Sequence, residues 1–321
     1  MIIIGAGPAG ISMAAEAINA GIPAHKIIIL EKAQEHSWAI RKFYPDKKLV
    51  TANYKGQDAL CNGVLCILDS SKTETLSYLD HIIQEKEINV LYNESVHKME
   101  KTEDGFFVVE TNVGQYKGKI CAIAIGMFGR PNKPEYKLPS SAKDRILFDI
   151  TTQKVEDSNV LVVGGGDTAS EYAQYLVQDG NTVTLSYRRD TFSRMNQINR
   201  DSLLQLAKNK SAKILYSSNI VSLEHIGDKI KVNFKEIEDQ SYDIIVYALG
   251  GSTPSNFLNL LGIDFNGTEP VVKDGFETSI PGLFLLGDLS AGKKGGSIIS
   301  AFNSSHSAMK KICTDYLNCR I

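Results

Sequence analysis

The fold follows from the stretch Ile2-Ile3-Ile4-Gly5-Ala6-Gly7-Pro8-Ala9-Gly10, in which G-x-G-x-x-G comes directly after a run of isoleucines. The isoleucines predict a buried strand, Gly10 to Ala20 an alanine-rich helix, and Lys26 to Leu30 the next strand. Glycines at such a turn let a pyrophosphate approach the backbone, while the helix N-terminus supplies N–H donors and a positive dipole. Glu31 closes the second strand, where a carboxylate accepts ribose hydroxyls. Residues 1–31 are therefore predicted to form a β-α-β unit that binds a dinucleotide.

A second turn of this kind, Gly164-Gly165-Gly166-Asp167-Thr168-Ala169, lies in the middle of the chain. Val160 to Val163 predicts the strand before it, Ala169 to Gln178 the helix, and Thr182 to Tyr187 the next strand. That strand ends without an acid and continues into Arg188-Arg189, and paired guanidiniums attract the 2′-phosphate of NADP, which a carboxylate would repel. The turn therefore predicts an NADPH site. The predicted contacts are Gly164, Gly166, Asp167, Thr168, Arg188 and Arg189, with Arg194 as a further candidate.

Further apolar runs end at glycines and indicate how the domains are arranged. These runs are Ile120 to Ile125 before Gly126, Ile244 to Leu249 before Gly250, and Leu283 to Leu286 before Gly287-Asp288. An aspartate at the last position can bind the ribityl chain of a flavin, which favours FAD at the first turn. We predict an α/β fold with two Rossmann-like nucleotide-binding domains, the NADPH domain inserted into the FAD domain. The predicted limits are 1–125 and 246–321 for the FAD domain and 126–245 for the NADPH domain.

Charge and cysteine content restrict the class of protein. The net charge is -2 and no long block of Lys and Arg occurs, which argues against binding of nucleic acid or of an acidic membrane surface. The chain shows no signal-peptide pattern and no apolar run long enough to span a membrane, so a cytoplasmic location is expected. The five cysteines are an odd number at irregular spacing, which predicts reduced thiols. If the segment from Cys61 to Cys66 is helical, their Cα atoms lie about 8.6 Å apart, too far for a disulfide.

The order of the motifs GAGPAG, AIAIGMFGRP, GGGDTA, YRRD, YALGG and LFLLGD resembles that in thioredoxin-reductase-like pyridine nucleotide flavoproteins. The resemblance covers nearly the whole chain and implies FAD and NADPH as cofactors in a homodimer. It also implies flavin contacts at Glu31, Val96, Asp288, Ser297 and Ile298. The full set of predicted FAD contacts is Gly5, Gly7, Pro8, Ala9, Gly10, Glu31, Lys32, Tyr44, Val96, Gly126, Gly287, Asp288, Ser297 and Ile298.

Departures from the family's patterns indicate the electron acceptor. The C-x-x-C pair of thioredoxin reductases is absent from residues 145–152, so thioredoxin reduction by that route is excluded. Ala9 stands where bacillithiol-disulfide-reductase-like proteins carry a cysteine. Tyr44-Pro45-Asp46-Lys47 resembles a Tyr-Pro-Glu-Lys segment of ferredoxin/flavodoxin-NADP reductases, which implies that Tyr44 stacks on the flavin. The sequence thus favours electron transfer from NADPH through FAD to flavodoxin, ferredoxin or a quinone.

Two alternatives remain open from sequence. Cys61 and Cys66 form a C-x4-C pair, the spacing that flavin-dependent disulfide reductases use, although the pair lies 30 residues beyond Glu31. Such enzymes also use a C-terminal histidine-glutamate pair, whereas here position 311 after His306 is lysine. His306 is interpreted as a helix-surface or flavin-edge residue. The second alternative is a non-catalytic sensor that binds NADP(H).

Overall fold

The computed structural model describes residues 1–44, 49–52, 60–127, 131–150, 153–193, 195, 197–250, 255–267, 269–291 and 296–319. Arg194 and Pro45-Asp46-Lys47, named above as candidates, lie outside the described residues. The chain divides into two compact units, each described by itself below. Unit 1 comprises Met1–Gly129 and Ser252–Ile321, and unit 2 comprises Arg130–Gly251.

The strands in chain order are β1 (Ile2–Ile4), β2 (Ile28–Leu30), β3 (Leu49–Val50), β4 (Ser70–Ser71), β5 (Val90–Leu91), β6 (Val96–Lys101), β7 (Phe107–Thr111), β8 (Gln115–Gly118), β9 (Cys121–Ile123), β10 (Ile146–Leu147), β11 (Asn159–Val163), β12 (Thr182–Ser186), β13 (Ala212–Leu215), β14 (Ile220–Ile226), β15 (Lys229–Phe234), β16 (Gln240–Tyr242), β17 (Ile244–Tyr247), β18 (Phe265–Asn266), β19 (Glu269–Pro270) and β20 (Leu283–Leu285). The helices are α1 (Pro8–Asn19), α2 (Trp38–Phe43), α3 (Lys72–Glu85), α4 (Asp167–Gln178), α5 (Gln197–Lys208), α6 (Ser255–Leu260) and α7 (Ile298–Ile312).

Unit 1 is built on a five-stranded parallel sheet in the order β20-β9-β1-β2-β5. Helix α1 connects the neighbouring strands β1 and β2, as predicted for the first glycine turn. The helix begins at Pro8 rather than at the predicted Gly10, because proline fits the first helical position, where its missing N–H is not needed. Its small alanines lie buried against the sheet, next to α7. An antiparallel sheet of β6, β7 and β8 belongs to the same unit.

Unit 2 repeats this arrangement with a parallel sheet in the order β10-β17-β11-β12-β13. Helix α4 connects β11 to β12 and begins at Asp167, two residues before the predicted start. Strands β14, β15 and β16 form an antiparallel sheet beside it. The two parallel sheets, one in a unit inserted into the other, confirm the predicted α/β fold class. No helix among the described residues has the length and apolar character that a membrane crossing requires.

Candidate functional site

Unit 1 contains a cavity of about 440 Å³ at the carboxyl ends of β1, β2, β9 and β20. This is the edge at which parallel α/β sheets bind ligands. Nearly all the residues predicted to contact FAD line it, although they come from distant parts of the chain. These are Gly5, Gly7, Pro8, Ala9, Glu31, Lys32, Tyr44, Val96, Gly126, Gly287, Asp288, Ser297 and Ile298. Gly10 is buried below the cavity floor and is not part of the lining.

The three glycines of the first turn have different physical roles. Gly5 has φ +101°, a conformation that favours glycine. A Cβ added to Gly10 would lie 2.0 Å from the carbonyl oxygen of Gly5, so only glycine lets helix and strand approach this closely. Gly7 caps α1 without a side-chain hydrogen bond, and a Cβ there would come no closer than 3.9 Å to Ala124 O. Gly7 thus leaves the helix N-terminus open to an anion.

Glu31 is fixed at the end of β2 by the backbone. Its Oε2 accepts the N–H of Ala6 at 2.7 Å, and its Oε1 accepts the N–H of Ala33 at 2.8 Å. Each carboxylate oxygen has two lone pairs, so both can still accept a ribose hydroxyl. The buried carboxylate is therefore held in place before any ligand binds.

The other end of the cavity is formed by residues after β20 and at the start of α7. The Asp288 carboxylate lies in this cradle, where burial raises its pKa. A Cβ added to Gly296 would lie 2.0 Å from Asp288 Oδ1, so the backbone of Gly296, just before α7, packs directly against this side chain. Ser297 caps α7 through its side chain, which accepts the N–H of Ser300 at 3.1 Å. A half-buried carboxylate beside a helix N-terminus suits a ligand with hydroxyls and an electron-rich edge, and the ribityl chain and ring of FAD fit this description.

Helix α2 contributes aromatic rings to the cavity, one of which was missed from sequence. Tyr44 follows the helix and lines the cavity half-buried, and its stacking on a flavin stays a prediction. Trp38, the only tryptophan of the chain, also lines it, with the ammonium groups of Lys32 and Lys42 5.7 and 5.0 Å from its ring centroid. The short α2 had not been predicted. A lone tryptophan between two lysines was the available signal.

The second glycine turn, in unit 2, also ends in an open helix N-terminus. A Cβ added to Gly165 would lie 2.0 Å from the ring of Tyr187, so this glycine lets the ring pack over the turn. Gly166 caps α4 and has open space where its Cβ would be. Asp167 and Thr168 form the first turn of α4, and Thr168 is exposed. A phosphate can therefore approach the backbone of Gly166.

Arg188 and Arg189 follow β12 with exposed side chains. The nearest interaction of Arg189 is weak, a 3.4 Å contact from its Nη1 to Ser193 Oγ. Both arginines thus lie just beyond the strand next to the glycine turn, and their exposed guanidiniums can move to an incoming 2′-phosphate. Gly164 lies at the end of β11, with its N–H donated to Ser186 O at 3.1 Å.

The cysteine prediction was wrong, because two disulfides are present. Cys61 and Cys66 are joined with their Cα atoms 5.5 Å apart, since the segment is an irregular loop and not the helix that would separate them. Cys313 and Cys319 are joined at 4.5 Å, across the turn that ends the C-terminal helix. Of the five cysteines, Cys121 alone is a free thiol.

The interpretation of His306 as a surface residue was also wrong. It is 7% exposed, and its Nδ1 lies 3.0 Å from Oε2 of Glu16, a fully buried residue of α1. The other oxygen of Glu16 accepts the N–H of Val64 at 2.6 Å, so this pair anchors the loop that carries Cys61 and Cys66. A single carboxylate within an alanine-rich helix was the signal that sequence reasoning overlooked.

Reduction of the two disulfides should lower the free energy of unfolding by about 2 kcal/mol each. They close loops with sequence separations of 5 and 6, and the chain-entropy model assigns about this value to loops that short. Urea unfolding with and without a phosphine reductant measures the effect. Without reductant, the Cys61→Ser, Cys66→Ser double variant should show half of the full loss in free energy of unfolding, since it lacks one of the two disulfides. Equal urea midpoints for all samples would contradict the prediction.

The fold and its two glycine turns define the class of two-unit dinucleotide-binding proteins. The chain belongs to the pyridine nucleotide-disulphide oxidoreductase family, whose model matches residues 2–287. This membership confirms the predicted enzyme class, an NADPH-dependent flavoprotein reductase with FAD and NADPH as cofactors.

Individual relatives are similar over almost the whole chain. A ferredoxin-NADP reductase of Ignicoccus hospitalis is 25% identical over 301 residues, covering 91% of this chain and 90% of that protein. Ferredoxin-NADP reductase 2 of Shouchella clausii is 26% identical, covering 90% of this chain and 84% of that protein. Among solved structures, bacillithiol disulfide reductase from Staphylococcus aureus has a TM-score of 0.82 at 21% identity, and Lactococcus lactis thioredoxin reductase 0.77 at 22%. Each covers 98% of this chain, and these two likenesses show the fold alone. The matched region makes up 98% of the bacillithiol disulfide reductase chain and 97% of the thioredoxin reductase chain.

Proposed function

We propose that the protein passes electrons from NADPH, bound in unit 2, through FAD, bound in unit 1, directly to flavodoxin or ferredoxin, or to a quinone. Bound FAD supplies the redox chemistry, accepting a hydride and releasing its electrons singly or as a pair. The protein's own residues bind and orient: Glu31 fixes the adenosine ribose, Asp288 the ribityl chain, and Tyr44 covers the ring.

The observation that carries this proposal is the absence of cysteine from the described lining of the unit 1 cavity. The Cys61–Cys66 loop instead contacts α1 at Glu16, seven residues beyond Ala9, which is about 10 Å along the helix axis. Cys121 is fully buried in β9, and burial raises the pKa of its thiol to about 12. A thiol that stays protonated is not a nucleophile. The flavin is thus left as the last redox centre before the acceptor.

The ferredoxin-NADP reductases that resemble the chain support the same acceptor class, since ferredoxin is the acceptor for which those proteins are named. Steady-state assays of the purified protein with NADPH and, in turn, flavodoxin, ferredoxin and a quinone test the proposal. We expect turnover with at least one of the three, and released flavin that chromatographs as FAD. A bound flavin that NADPH does not bleach would contradict the proposed reductase function. The non-catalytic NADP(H) sensor would then be the remaining alternative.

A disulfide reductase is the second candidate function, and the Cys61–Cys66 disulfide favours it. The Cys61–Cys66 bond exists, Cys66 is exposed, and the buried His306–Glu16 pair anchors its loop. Two electrons from the reduced flavin would first have to cross the distance along α1 and reduce the Cys61–Cys66 bond to a dithiol. The dithiol would then exchange with a disulfide substrate, re-forming the Cys61–Cys66 bond and releasing the substrate as two thiols.

The Cys61→Ser, Cys66→Ser double variant separates the two candidates. Because flavin is proposed as the terminal centre, the variant should keep wild-type rates of NADPH-dependent flavodoxin reduction, within about twofold. Anaerobic titration with NADPH followed by stopped-flow mixing with flavodoxin measures both steps. The proposal is falsified if the variant's flavin is reduced normally but passes no electrons on, since a dithiol would then stand between FAD and the acceptor.

A further inference from the structure

Three aromatic rings form a row in unit 2 that leads away from the second glycine turn. Tyr187 packs over Gly165 and stacks on Phe192, with centroids 5.1 Å apart and planes 18° apart. Phe192 in turn contacts Tyr216, at 5.2 Å and 52°. The first two rings are 8% and 5% exposed, whereas Tyr216 is 38% exposed. The row thus begins under the turn and ends with one ring facing solvent.

Tyr216 is held on the same edge of the sheet as the arginine pair. It follows β13, which pairs with β12, the strand that precedes Arg188 and Arg189. The N–H of Ser217 donates to Arg189 O at 3.1 Å, and the N–H of Tyr187 donates to Leu215 O at 2.9 Å. These bonds join the loops after β12 and β13. Because Ser217 bonds to Arg189, the neighbouring Tyr216 is held close to the arginine pair along the backbone.

A dinucleotide bound at this edge has a defined course. Its pyrophosphate lies at the N-terminus of α4, and the 2′-phosphate at Arg188 and Arg189, one strand further across the sheet. The adenine is attached to the ribose that carries this 2′-phosphate, so it lies within one sugar of the arginines. The next structure in that direction is the loop after β13. There the chain presents an aromatic face, a surface on which any base can stack.

Packing alone does not account for an exposed ring at this place. Tyr187 and Phe192 already close the core beneath the glycine turn. Tyr216 adds a partly buried edge against Phe192, and this burial raises the pKa of its hydroxyl. The rest of the ring remains open to solvent, in the loop that bonds to the backbone of Arg189 through Ser217.

We infer that Tyr216 is the adenine platform of the second nucleotide site, on which the base of NADPH stacks while Arg188 and Arg189 hold its 2′-phosphate. The inference rests on the proposed binding of NADPH in unit 2. It adds a recognition element for adenine that is independent of the phosphate, and it makes Tyr216 a binding residue without a part in hydride transfer.

Calorimetric titration of the holoprotein with adenosine 2′,5′-bisphosphate tests this, because the probe carries adenine and the 2′-phosphate but no nicotinamide. Tyr216→Ala should weaken binding about tenfold, the loss of one stacked base. Tyr216→Phe keeps the ring and should bind as the wild type does. Tyr216→Leu keeps an apolar contact to Phe192 without an aromatic face, and should weaken binding like alanine even if the alanine variant is destabilised. Ile226→Ala, which alters a residue 56% exposed at the tip of the β14–β15 hairpin, should have no effect.

The outcomes separate the inference from the function on which it rests. Wild-type affinity in Tyr216→Ala or Tyr216→Leu, with binding still lost on removal of Arg188 and Arg189, would overturn the platform alone. Equal weakening in Tyr216→Phe would also overturn it, since the hydroxyl rather than the ring would then matter. No binding of the probe by the wild type would overturn the NADPH assignment and the platform together.

Discussion

Replacing Arg188 and Arg189 together by alanine should raise the KM for NADPH about 100-fold or more while leaving the KM for NADH within about twofold. Both side chains are exposed just beyond β12, the strand beside the glycine turn, and they stand where an NAD site carries the acid that accepts ribose hydroxyls. Each charge-assisted hydrogen bond contributes roughly 1.5 to 3 kcal/mol, so two lost contacts give at least about two orders of magnitude. Steady-state kinetics with both nucleotides measure the change.

Lys213→Ala is a matched control for this prediction. It removes one exposed positive charge from the neighbouring strand β13 without touching the arginine pair. Its KM for NADPH should stay within about twofold of the wild-type value. Equal use of NADH and NADPH by the unmodified enzyme would show that the arginines do not select the 2′-phosphate.

Gly10→Ala should yield protein without bound flavin. The new Cβ would lie 2.0 Å from Gly5 O, a backbone atom that cannot move unless the turn opens. Overpacking of this kind costs about 1–3 kcal/mol in stability, and an opened turn removes the anion site at the start of α1. The ratio of flavin to protein absorbance after purification measures the loss, and urea unfolding measures the destabilisation.

Gly7→Ala separates folding from binding at the same turn. The nearest atom to its Cβ would be Ala124 O at 3.9 Å, an ordinary contact, so the variant should keep wild-type stability within about 0.5 kcal/mol. Its methyl group would enter the cavity where the pyrophosphate approaches, and FAD affinity should fall. If both Gly7→Ala and Gly10→Ala retain a full complement of flavin, the first glycine turn does not hold a dinucleotide.

The sequence predicted the parallel sheets because several of their strands are short apolar runs that end at a glycine, a pattern that depends only on neighbouring residues. It placed the start of α1 two residues late, since proline at the first helical position was not used as a signal. The disulfide between Cys61 and Cys66 was missed because the prediction depended on the unknown conformation of the loop between them.

Contacts between distant residues account for the remaining differences at the sites. Glu16 and His306 are 290 residues apart, and nothing in the sequence near either one indicates the other. Trp38 enters the cavity from a helix of six residues, too short to show a clear periodicity. Glycine turns, in contrast, form a local pattern, so Gly5, Gly7 and Glu31 could be named from it, whereas Tyr44 and Val96 were named from the resemblance to the family.

The strand order of unit 1 has a consequence for synthesis on the ribosome. Strand β9 pairs with β20, although the whole of unit 2 lies between them in the chain. A nascent chain can therefore complete the sheet of unit 2 while β9 still exposes an unpaired edge, the kind of edge that promotes aggregation. The flavin cavity needs residues up to the start of α7, so FAD can bind only after Ile298 has been synthesised. Flavin would thus bind after β20 has paired with β9, to a sheet that is already complete.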